Sequence, residues 1–361
     1  MIRKKILVFI DSLGSGGAQR RSVNIAVLLK NRGYNVSFLV YHDDMFFAGK
    51  LHDNNIPVTI IKGVNYLDRI IKIRTYLNKI DVDVVISFME TPNFIACVSK
   101  IGHKKWALIT TESSAKMSTF LSKKNKFYNL FHRLSDVKVC NSFNALRMWE
   151  KYYPQYADSY KVIYNPVMID KDLLKECRSL DHKKKEIIVA ASYQELKNPI
   201  RLIEALNRLN SFERQLIHID WYGRRDTIIY TECLNLIERD HLEDTISFHG
   251  ESRDIYSIMK ESHCVALFST VEGMPNTICE GITLGKIILM SKVSDYDVLV
   301  NGNGFLCDPF SVDSICETLK KFIYLGTQEM GEMMNRSEEL SKLFEPDNIM
   351  DDWEKIINAI S

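Results

Sequence analysis

The sequence has no long hydrophobic run. None approaches the roughly eighteen consecutive apolar residues that a membrane-spanning helix needs, so we expect no transmembrane segment. The apolar stretch at residues 6–10 ends at Asp11, before any small-residue cleavage site, which argues against a signal peptide. Together with eight scattered cysteines that show no disulfide pattern, these absences predict a cytoplasmic protein.

An excess of charge of either sign is also missing. Lysine and arginine together number 47, and aspartate and glutamate 46, which gives a net charge of +1. A chain this close to neutral has no overall field that attracts nucleic acid. No sequence pattern of a nucleic-acid-binding module accompanies its basic residues. We therefore predict no nucleic-acid partner.

Patterns typical of disulfide frameworks and metal sites are absent. The eight cysteines contain no Cys-x-x-Cys pair, and the nine histidines contain no His-x-x-x-His pair. Asp81 with Asp83, and Asp295 with Asp297, form Asp-x-Asp pairs, but acidic residues often flank a strand or loop without binding a metal. We predict reduced, buried thiols, no metal site and no cofactor.

The Gly-x-Gly-x-x-Gly, Walker A and Gly-x-Ser-x-Gly motifs are missing too. In their place, residues 13–20 read Leu-Gly-Ser-Gly-Gly-Ala-Gln-Arg and follow the first predicted strand. Gly16 and Gly17 would let a ligand approach the backbone closely, and exposed N–H groups there could meet a phosphate. A plain strand–helix turn explains the same residues.

Short apolar runs alternate with amphipathic helical patterns along the 361 residues. This alternation predicts α/β domains with parallel sheets covered by helices on both faces. Strands are predicted at residues 5–10, 36–41, 58–61, 82–88, 107–110, 137–140, 186–191, 217–222, 245–249, 264–268, 287–291 and 304–306. Helices are predicted, among others, at residues 17–32, 199–210 and 275–284. Two series of about six strands predict two doubly wound, Rossmann-like domains in tandem.

We place the first domain at residues 1–168 and the second at residues 169–345. The seam lies near residues 165–185, where Asn165-Pro166-Val167 ends the first series and a charged stretch precedes the second. In residues 346–361, apolar side chains recur at helical spacing. We predict a helix there that crosses back to the first domain. A cap on the second domain is the alternative.

Glu272 and Glu280, with seven residues between them, carry the strongest functional signal. A predicted buried strand precedes Glu272, and Pro275 suits the first turn of a helix. A helix start attracts phosphate through its N–H groups and partial positive charge. The spacing fits a diphosphate between two hydroxyl-rich groups, with one carboxylate for each. An equally simple interpretation is that Glu272 is an exposed loop residue and Glu280 an ordinary residue on a helix surface.

Lys197 and Asn198 lie in the loop after the predicted strand at residues 186–191. Open α/β sheets bind ligands at the carboxyl ends of their strands, and a lysine in this loop can reach that edge. A solvated loop lysine is the alternative interpretation.

The segment at residues 100–133 is locally basic. It holds eight lysine or arginine residues and a single acidic one, Glu112, interleaved with aromatic and aliphatic side chains. This mixture suits the surface of an anionic membrane or a lipid-linked phosphate acceptor. A solvated basic helix with an apolar inner face would have the same composition.

Four elements together resemble the family-4 glycosyltransferases: Gly16-Gly17-Ala18-Gln19, Asn165-Pro166-Val167, Lys197-Asn198 and the Glu-x7-Glu spacing. Their order covers nearly the whole chain. The resemblance implies the GT-B fold, in which two Rossmann-like domains face a cleft. It also implies a retaining, metal-independent enzyme that moves a hexose or N-acetylhexosamine from a nucleotide sugar, with uridine as the base, to a glycan hydroxyl. The acceptor would be a lipid-linked glycan in surface polysaccharide or oligosaccharide synthesis.

The resemblance implies roles for individual residues as well. Lys197 and Glu272 would be catalytic, the lysine neutralising the departing diphosphate and the glutamate contacting the donor sugar. Glu280 would hold the ribose hydroxyls. The other donor-binding residues would be Gly16, Gly17, Ser192, Arg224, Arg253, Met274, Pro275, Asn276 and Thr277.

The chain departs from the family pattern at two places. The family usually has an arginine five residues before the lysine, where this chain has Ser192. Either Arg224 or Arg225 compensates, or the diphosphate is held less tightly. The histidine of the family's acceptor-side loop has no clear match. Glu112 lies in that region, and Glu90 lies in a segment that resembles branches extending lipid-linked oligosaccharides, so both are acceptor-side candidates.

Three other functions compete with this interpretation. A nucleotide-sugar epimerase or hydrolase on the same fold would consume donor without an acceptor. A nicotinamide oxidoreductase would use the glycine turn together with Asp43 or Asp44, but it leaves Glu272 and Glu280 without a role. A non-catalytic membrane-surface protein derived from a transferase would fit Ser192 and the basic segment.

Overall fold

The structure is a computed structural model that describes residues 3–102, 105–175, 184–225 and 227–360. The chain divides into two compact units. The first unit comprises Met1–Met168 together with Glu345–Ser361, and the second comprises Ile169–Phe344. Residues 176–183 of the predicted seam lie outside the described residues.

The first unit is built on a seven-stranded sheet in the order β3-β2-β1-β4-β5-β6-β7. All of its strand pairs are parallel. The strands are β1 Lys5–Phe9, β2 Asn35–Val40, β3 Val58–Ile60, β4 Val84–Phe88, β5 Ala107–Glu112, β6 Val137–Cys140 and β7 Tyr160–Val162. The helices are α1 Gly17–Asn31, α2 Ala48–Asp53, α3 Tyr66–Lys79, α4 Glu90–Ser99, α5 Met117–Leu121, α6 Lys123–Asn129 and α7 Phe143–Tyr152, with 3-10 turns at Leu130–Leu134 and Pro154–Ser159.

The second unit has a six-stranded parallel sheet in the order β10-β9-β8-β11-β12-β13. Its strands are β8 Lys185–Ala190, β9 Ile217–Tyr222, β10 Ile246–His249, β11 Cys264–Leu267, β12 Ile287–Ser291 and β13 Gly304–Cys307. Its helices are α8 Lys171–Lys175, α9 Pro199–Asn207, α10 Ser211–Gln215, α11 Ile228–Arg239, α12 Ile255–Glu261, α13 Asn276–Thr283, α14 Tyr296–Leu299, α15 Val312–Ile323 and α16 Thr327–Leu340, with 3-10 turns at Glu195–Lys197 and Ser341–Phe344.

The last helix, α17 Pro346–Ala359, belongs to the first unit and packs beside α1. Trp353 is fully buried on its inner face. Arg32, at the end of α1, donates to Asp351 at 2.8 Å and to the backbone carbonyl of Asp347 at 3.1 Å. The C-terminal helix thus crosses back to the first domain, as predicted.

The prediction of two doubly wound α/β domains is confirmed, and each predicted strand overlaps an observed one. The sequence did not reveal β7, an edge strand of three residues whose middle residue, Lys161, is exposed. The predicted helix at residues 199–210 ends at Asn207 instead. Asn210 caps the next helix, with Glu213 completing a reciprocal capping box, so the chain must turn before it.

The seven cysteines within the described residues are buried, and none of them forms a disulfide with another. Cys177 lies outside the described residues. Over the described parts of the chain, no helix is long and apolar enough to cross a membrane.

Each sheet has one pair of neighbouring strands at which the strand order reverses, so that the connections after the two strands run in opposite directions. These are β1 beside β4 in the first unit and β8 beside β11 in the second. Loops leaving the carboxyl ends of such a strand pair diverge and leave a crevice, the usual ligand position in open α/β sheets. The two crevices are therefore where functional side chains are expected to lie.

Helix α13 lies against β11 at Gly281. A Cβ atom at Gly281 would come within 2.7 Å of the Val265 side chain, a contact too short for two carbon atoms. Glycine is therefore required for the close packing of this helix on the sheet.

We expect Gly281→Ala to destabilise the protein by about 1–3 kcal/mol through overpacking. Gly331→Ala in α16 is the matched control, because a Cβ there meets nothing within 4 Å. The control should be neutral, or stabilising by up to about 1 kcal/mol, since alanine favours helix. Urea unfolding of both variants measures the difference. Equal midpoints would contradict the proposed contact.

Candidate active site

Lys197 and Glu272 form an ion pair in the crevice of the second unit. Lys197 ends the 3-10 turn that follows β8, and Glu272 lies in the loop that follows β11. The Lys197 Nζ donates to Glu272 Oε1 at 2.5 Å, and the two side chains are 20% and 12% exposed. A charge-assisted hydrogen bond of this kind fixes both side chains while leaving them accessible. The structure thus brings together two predicted site residues.

Asn198 anchors the lysine loop to the rest of the sheet edge. It is buried and adopts a left-handed conformation with φ 66°, which asparagine tolerates better than most residues. Its side-chain amide donates to the carbonyls of Phe268 at 3.0 Å and Pro309 at 2.7 Å. In addition, the Thr270 N–H donates to the Leu196 carbonyl at 2.9 Å. The loops after β8 and β11 are therefore joined before any ligand binds.

The start of helix α13 lies next to the end of β8. Pro275 occupies the N-cap position, and its side chain cannot cap the helix. The Thr277 hydroxyl donates to the Ala190 carbonyl at 2.6 Å. Met274 and Pro275 are buried, whereas Asn276 and Thr277 are partly exposed. The first-turn N–H groups of such a helix point along its axis and suit an anionic group.

Glu280 lies three residues after Thr277, so both side chains are on the same face of α13. It is 5% exposed, and the Tyr256 hydroxyl donates to its Oε1 at 3.4 Å. Of the two glutamates in the Glu-x7-Glu pattern, Glu272 thus lies in a loop beside Lys197, and Glu280 is buried in α13 beside Tyr256. Neither is the ordinary exposed glutamate of the simpler interpretation.

A cavity of about 220 Å³ opens at the same edge of the sheet. Ser192 and Arg224, two of the predicted donor-binding residues, line it, whereas Arg253, another of them, is exposed and does not. The lining residues are Ala190, Ala191, Ser192, Tyr222, Gly223, Arg224, Glu251, Ser252 and Ile255. Sequence reasoning missed Tyr222 and Glu251, because the position of their loops depends on how β8, β9 and β10 pair.

The crevice of the first unit holds three further predicted residues. Gly16 and Gly17 are exposed at the N-terminus of α1, which follows β1. Glu90 begins α4, directly after β4, the neighbour of β1. Met89 before it has φ 75°, a strained value for a non-glycine residue. The glycine turn and Glu90 thus follow two neighbouring strands, β1 and β4.

Glu112, the last residue of β5, is 3% exposed. Its Oε1 accepts a hydrogen bond from Asn93 Nδ2 at 3.1 Å, and Asn93 Oδ1 accepts one from the Ser87 hydroxyl at 2.6 Å. Burial raises the pKa of Glu112 well above its usual range, and the nearby Glu90 carboxylate raises it further. Glu112 is therefore a buried carboxyl that favours its neutral form.

His132 lies beside Glu112, with its Nδ1 3.5 Å from Glu112 Oε1. Burial lowers the pKa of His132 to about 3, so its imidazole is uncharged at neutral pH and the contact is no ion pair. On the other side, Arg21 donates to the Ser113 hydroxyl at 3.0 Å. Burial lowers the pKa of Arg21 to about 10, which leaves it charged at neutral pH. No sequence signal singled out His132 or Arg21, since both contacts are between distant elements.

Two family profiles match successive parts of the chain. The profile described as Glycosyltransferase Family 4 matches residues 15–171, and the one described as Glycosyl transferases group 1 matches residues 170–339. The chain belongs to the family-4 glycosyltransferases. The resemblance drawn from the Glu-x7-Glu pattern and its companions is thereby confirmed.

Individual proteins are similar to this glycosyltransferase over nearly their whole length. An α-1,4-N-acetyl-D-galactosaminyltransferase of Campylobacter jejuni is 24% identical over 377 residues, covering 99% of each chain. The structure of Anabaena Alr3699/HepE matches with a TM-score of 0.86 and 20% identity, covering 98% of this chain and 100% of the other. A glycosyltransferase from Rickettsia africae matches with a TM-score of 0.83 and 18% identity, covering 100% and 99%. These likenesses establish the GT-B fold.

The basic segment of this glycosyltransferase contains β5 and, after it, α5, α6 and most of the 3-10 turn at Leu130–Leu134. Its inner side chains, such as Phe120 and Tyr128, are buried. Its outer surface combines exposed apolar and basic side chains, which are Lys116, Met117, Leu121, Lys123, Lys124, Lys126, Phe127, Leu130 and Arg133. Lys104 lies outside the described residues.

Both aspartates of the Asp81-x-Asp83 pair contact Lys5, the first residue of β1. The Lys5 side chain pairs with Asp81, and the Lys5 N–H donates to Asp83 at 2.7 Å. Over the described parts of the glycosyltransferase, no group of three histidine, cysteine or acidic residues has the geometry of a metal site.

Proposed function

We propose that this glycosyltransferase transfers a hexose or N-acetylhexosamine, with retention of the anomeric configuration, from a uridine-diphosphate sugar to a hydroxyl of a lipid-linked glycan. The observation that carries the proposal is the group of Lys197, Glu272 and the start of α13 at the carboxyl ends of β8 and β11. It combines a cation, an accessible carboxylate and helix N–H groups within one unit.

The chemistry follows from the charge that develops on the departing diphosphate. Breaking the bond between sugar and phosphate leaves extra negative charge on the phosphate oxygens. Lys197 and the N–H groups at the start of α13 can stabilise this charge because the fixed loops around Asn198 hold them in place. Preorganised groups of this kind lower the barrier without reorganising during the reaction.

The two glutamates suit the hydroxyl-rich groups on either side of the diphosphate. Glu272 is partly exposed and accepts from Lys197, so its carboxylate can also accept from hydroxyls of the donor sugar. Glu280 lies further into α13, where its carboxylate can accept from the ribose hydroxyls beside Tyr256. The cavity lined by Tyr222 and Ser252 would then take the nucleobase.

The identity of donor and acceptor is supported by the similar proteins. Structures of Anabaena Alr3699/HepE are described in complex with UDP and with UDP-glucose. Two Campylobacter jejuni relatives are described as acting on undecaprenol-diphosphate-linked saccharides. We infer a uridine nucleotide donor and a polyprenyl-diphosphate-linked acceptor, with Glu90 and Glu112 on the acceptor side.

A lipid-linked acceptor requires contact with a membrane. We infer that the exposed lysines and apolar side chains of residues 100–133 rest on the anionic cytoplasmic face of the membrane. Lysines attract the anionic headgroups, and Met117, Leu121 and Phe127 can enter the interface.

Replacing Lys197 should abolish most turnover. We expect Lys197→Ala to lose roughly a hundredfold in donor turnover, about 3 kcal/mol of barrier, because one fixed cation at the leaving group is lost. Lys321→Ala, an exposed lysine in α15, is the control and should retain full activity. The assay follows UDP release from UDP-sugars with and without a polyprenyl-diphosphate-linked glycan. Near-normal turnover in Lys197→Ala, or equal release without acceptor, contradicts the proposal; the latter indicates a hydrolase.

Activity should not require a divalent metal, because Lys197 and the α13 N–H groups would take its role at the diphosphate. We expect full turnover after dialysis against EDTA, measured with the same assay. Loss of activity that returns on addition of manganese would count against this assignment.

Reversing three charges in α6 should weaken membrane binding. Each lysine near an anionic surface contributes about 1 kcal/mol, so Lys123→Glu, Lys124→Glu and Lys126→Glu together should lower affinity for phosphatidylglycerol vesicles by roughly a hundredfold or more. Co-sedimentation with vesicles at low salt measures this affinity.

The matched control reverses Lys292, Lys321 and Lys342 of the second unit, which changes the net charge equally. It should bind the vesicles like the original protein. Equal loss in both variants would mean that binding follows net charge, and the surface assignment would be wrong.

A further inference from the structure

The first unit has a large cavity at the amino-terminal edge of its sheet. Its volume is about 590 Å³, and it lies where β5 and β6 begin, beside the end of α4 and the 3-10 turn at Leu130–Leu134. The crevice between β1 and β4, with the glycine turn and Glu90, is at the opposite, carboxyl-terminal edge. This basic cavity is therefore separate from the site that we propose for the acceptor.

The charges around the basic cavity leave a positive excess. Three basic side chains line it, Lys100, Lys105 and Arg133, against two carboxylates, Asp83 and Asp136. Both carboxylates already accept hydrogen bonds from the protein, since Asp136 pairs with Lys100 and Asp83 accepts from a backbone N–H at 2.7 Å. Lys105 and Arg133 are exposed. The cavity therefore attracts an anionic group.

A second cavity, of about 430 Å³, lies between the edge strand β7 and helix α17 of the same unit. Six of its nine lining residues are apolar, among them Val137, Ile356 and Ile360. Ile360 lines the basic cavity as well. The two cavities also meet at the start of β6, where Asp136 lines the basic one and the next residue, Val137, the apolar one. A cationic cavity thus continues into an apolar groove.

This combination matches a ligand with an anionic head and an apolar chain. A free phosphate would fill only the basic cavity, and an uncharged apolar molecule only the groove. Exposed apolar side chains flank the cations: Ile101, next to Lys100, is 44% exposed, and Leu130 is 61% exposed. Leu130 lies three residues before Arg133 in one 3-10 turn, and residues at this spacing lie on the same side of such a turn. Apolar contacts with a membrane therefore lie beside the basic cavity.

We propose that the two cavities bind one molecule of an anionic phospholipid, with its phosphate at Lys105 and Arg133 and an acyl chain along Ile356 and Ile360. An arginine can form two parallel hydrogen bonds to phosphate oxygens. The inference rests on the proposed membrane contact of residues 100–133 and deepens it, because it assigns a discrete lipid site to a surface otherwise attracted by diffuse charge. A lipid bound in this way fixes the orientation of the first unit on the membrane.

The test measures binding by calorimetry with two probes. Dihexanoyl phosphatidylglycerol, kept below its micelle concentration, is a lipid without an extended anionic surface, and glycerol phosphate is the head without the chains. We expect one lipid to bind per protein. Its affinity should exceed that of glycerol phosphate by roughly tenfold or more, because the chain buries methylene groups in the groove.

Two double variants separate the head from the chain. Lys105→Ala with Arg133→Ala should weaken lipid binding by roughly thirtyfold and weaken glycerol phosphate as well, because both cations contact the phosphate. Ile356→Ser with Ile360→Ser should weaken lipid binding by roughly tenfold and leave glycerol phosphate unchanged, because only the chain loses contacts.

The matched control is Lys79→Ala with Lys151→Ala, which removes two exposed lysines from the same unit. It should change neither affinity by more than about twofold. Thermal unfolding of each variant shows that it is folded before binding is compared. A control that loses as much affinity as the variant at Lys105 and Arg133 would mean that binding follows net charge, and the site would be rejected.

Two further results would overturn the inference. Lipid affinity could be the same in the original protein and in the variant at Lys105 and Arg133. Glycerol phosphate could bind as tightly as the lipid, which would mean that a free phosphate occupies the basic cavity. Loss of vesicle binding on charge reversal in α6, together with no binding of monomeric lipid, would leave the proposed membrane contact intact and reject only this site. A protein that binds neither vesicles nor monomeric lipid would reject both.

Discussion

The candidate site depends on one constraint, the adjacency of β8 and β11 in the sheet of the second unit. These strands are far apart in sequence, and their loops diverge from a shared edge. The Asn198 amide and the Thr270 N–H join those loops by hydrogen bonds to backbone carbonyls. Because the loops are fixed in this way, Lys197 meets Glu272, and the start of α13 comes to rest against the end of β8.

The surroundings of this pair determine what chemistry it can perform. Lys197 and Glu272 are only partly exposed, which strengthens the field of each charge relative to open solvent. Glu280 is buried in the helix that follows, and Arg224 stands on the other side of β8. Along this sheet edge, the two cations follow the neighbouring strands β9 and β8, and the two glutamates follow β11, an arrangement that suits a diphosphate with hydroxyl-rich groups beside it.

The first unit has the same kind of strand pair, with different side chains beside it. Gly16 and Gly17 follow β1, and Glu90 follows β4. One strand further, burial raises the pKa of Glu112 and lowers that of His132 to about 3. A buried carboxyl with a raised pKa beside an uncharged imidazole suits hydroxyls more than phosphates, in keeping with the acceptor side that we propose for them.

The sequence by itself determined the fold class and nearly all of the strand and helix order, and it singled out Lys197, Glu272 and Glu280 as candidates, because these follow from local periodicity and from residue spacing within single loops and helices. It missed β7, a short edge strand centred on an exposed lysine, and the capped break at Asn210. Only the tertiary structure decided that Asn198 joins two loops, that His132 lies beside Glu112, and that Arg224 and not Arg225 lines the cavity with Ser192. Each of these depends on the order and register in which distant strands pair, and local sequence patterns do not encode that register.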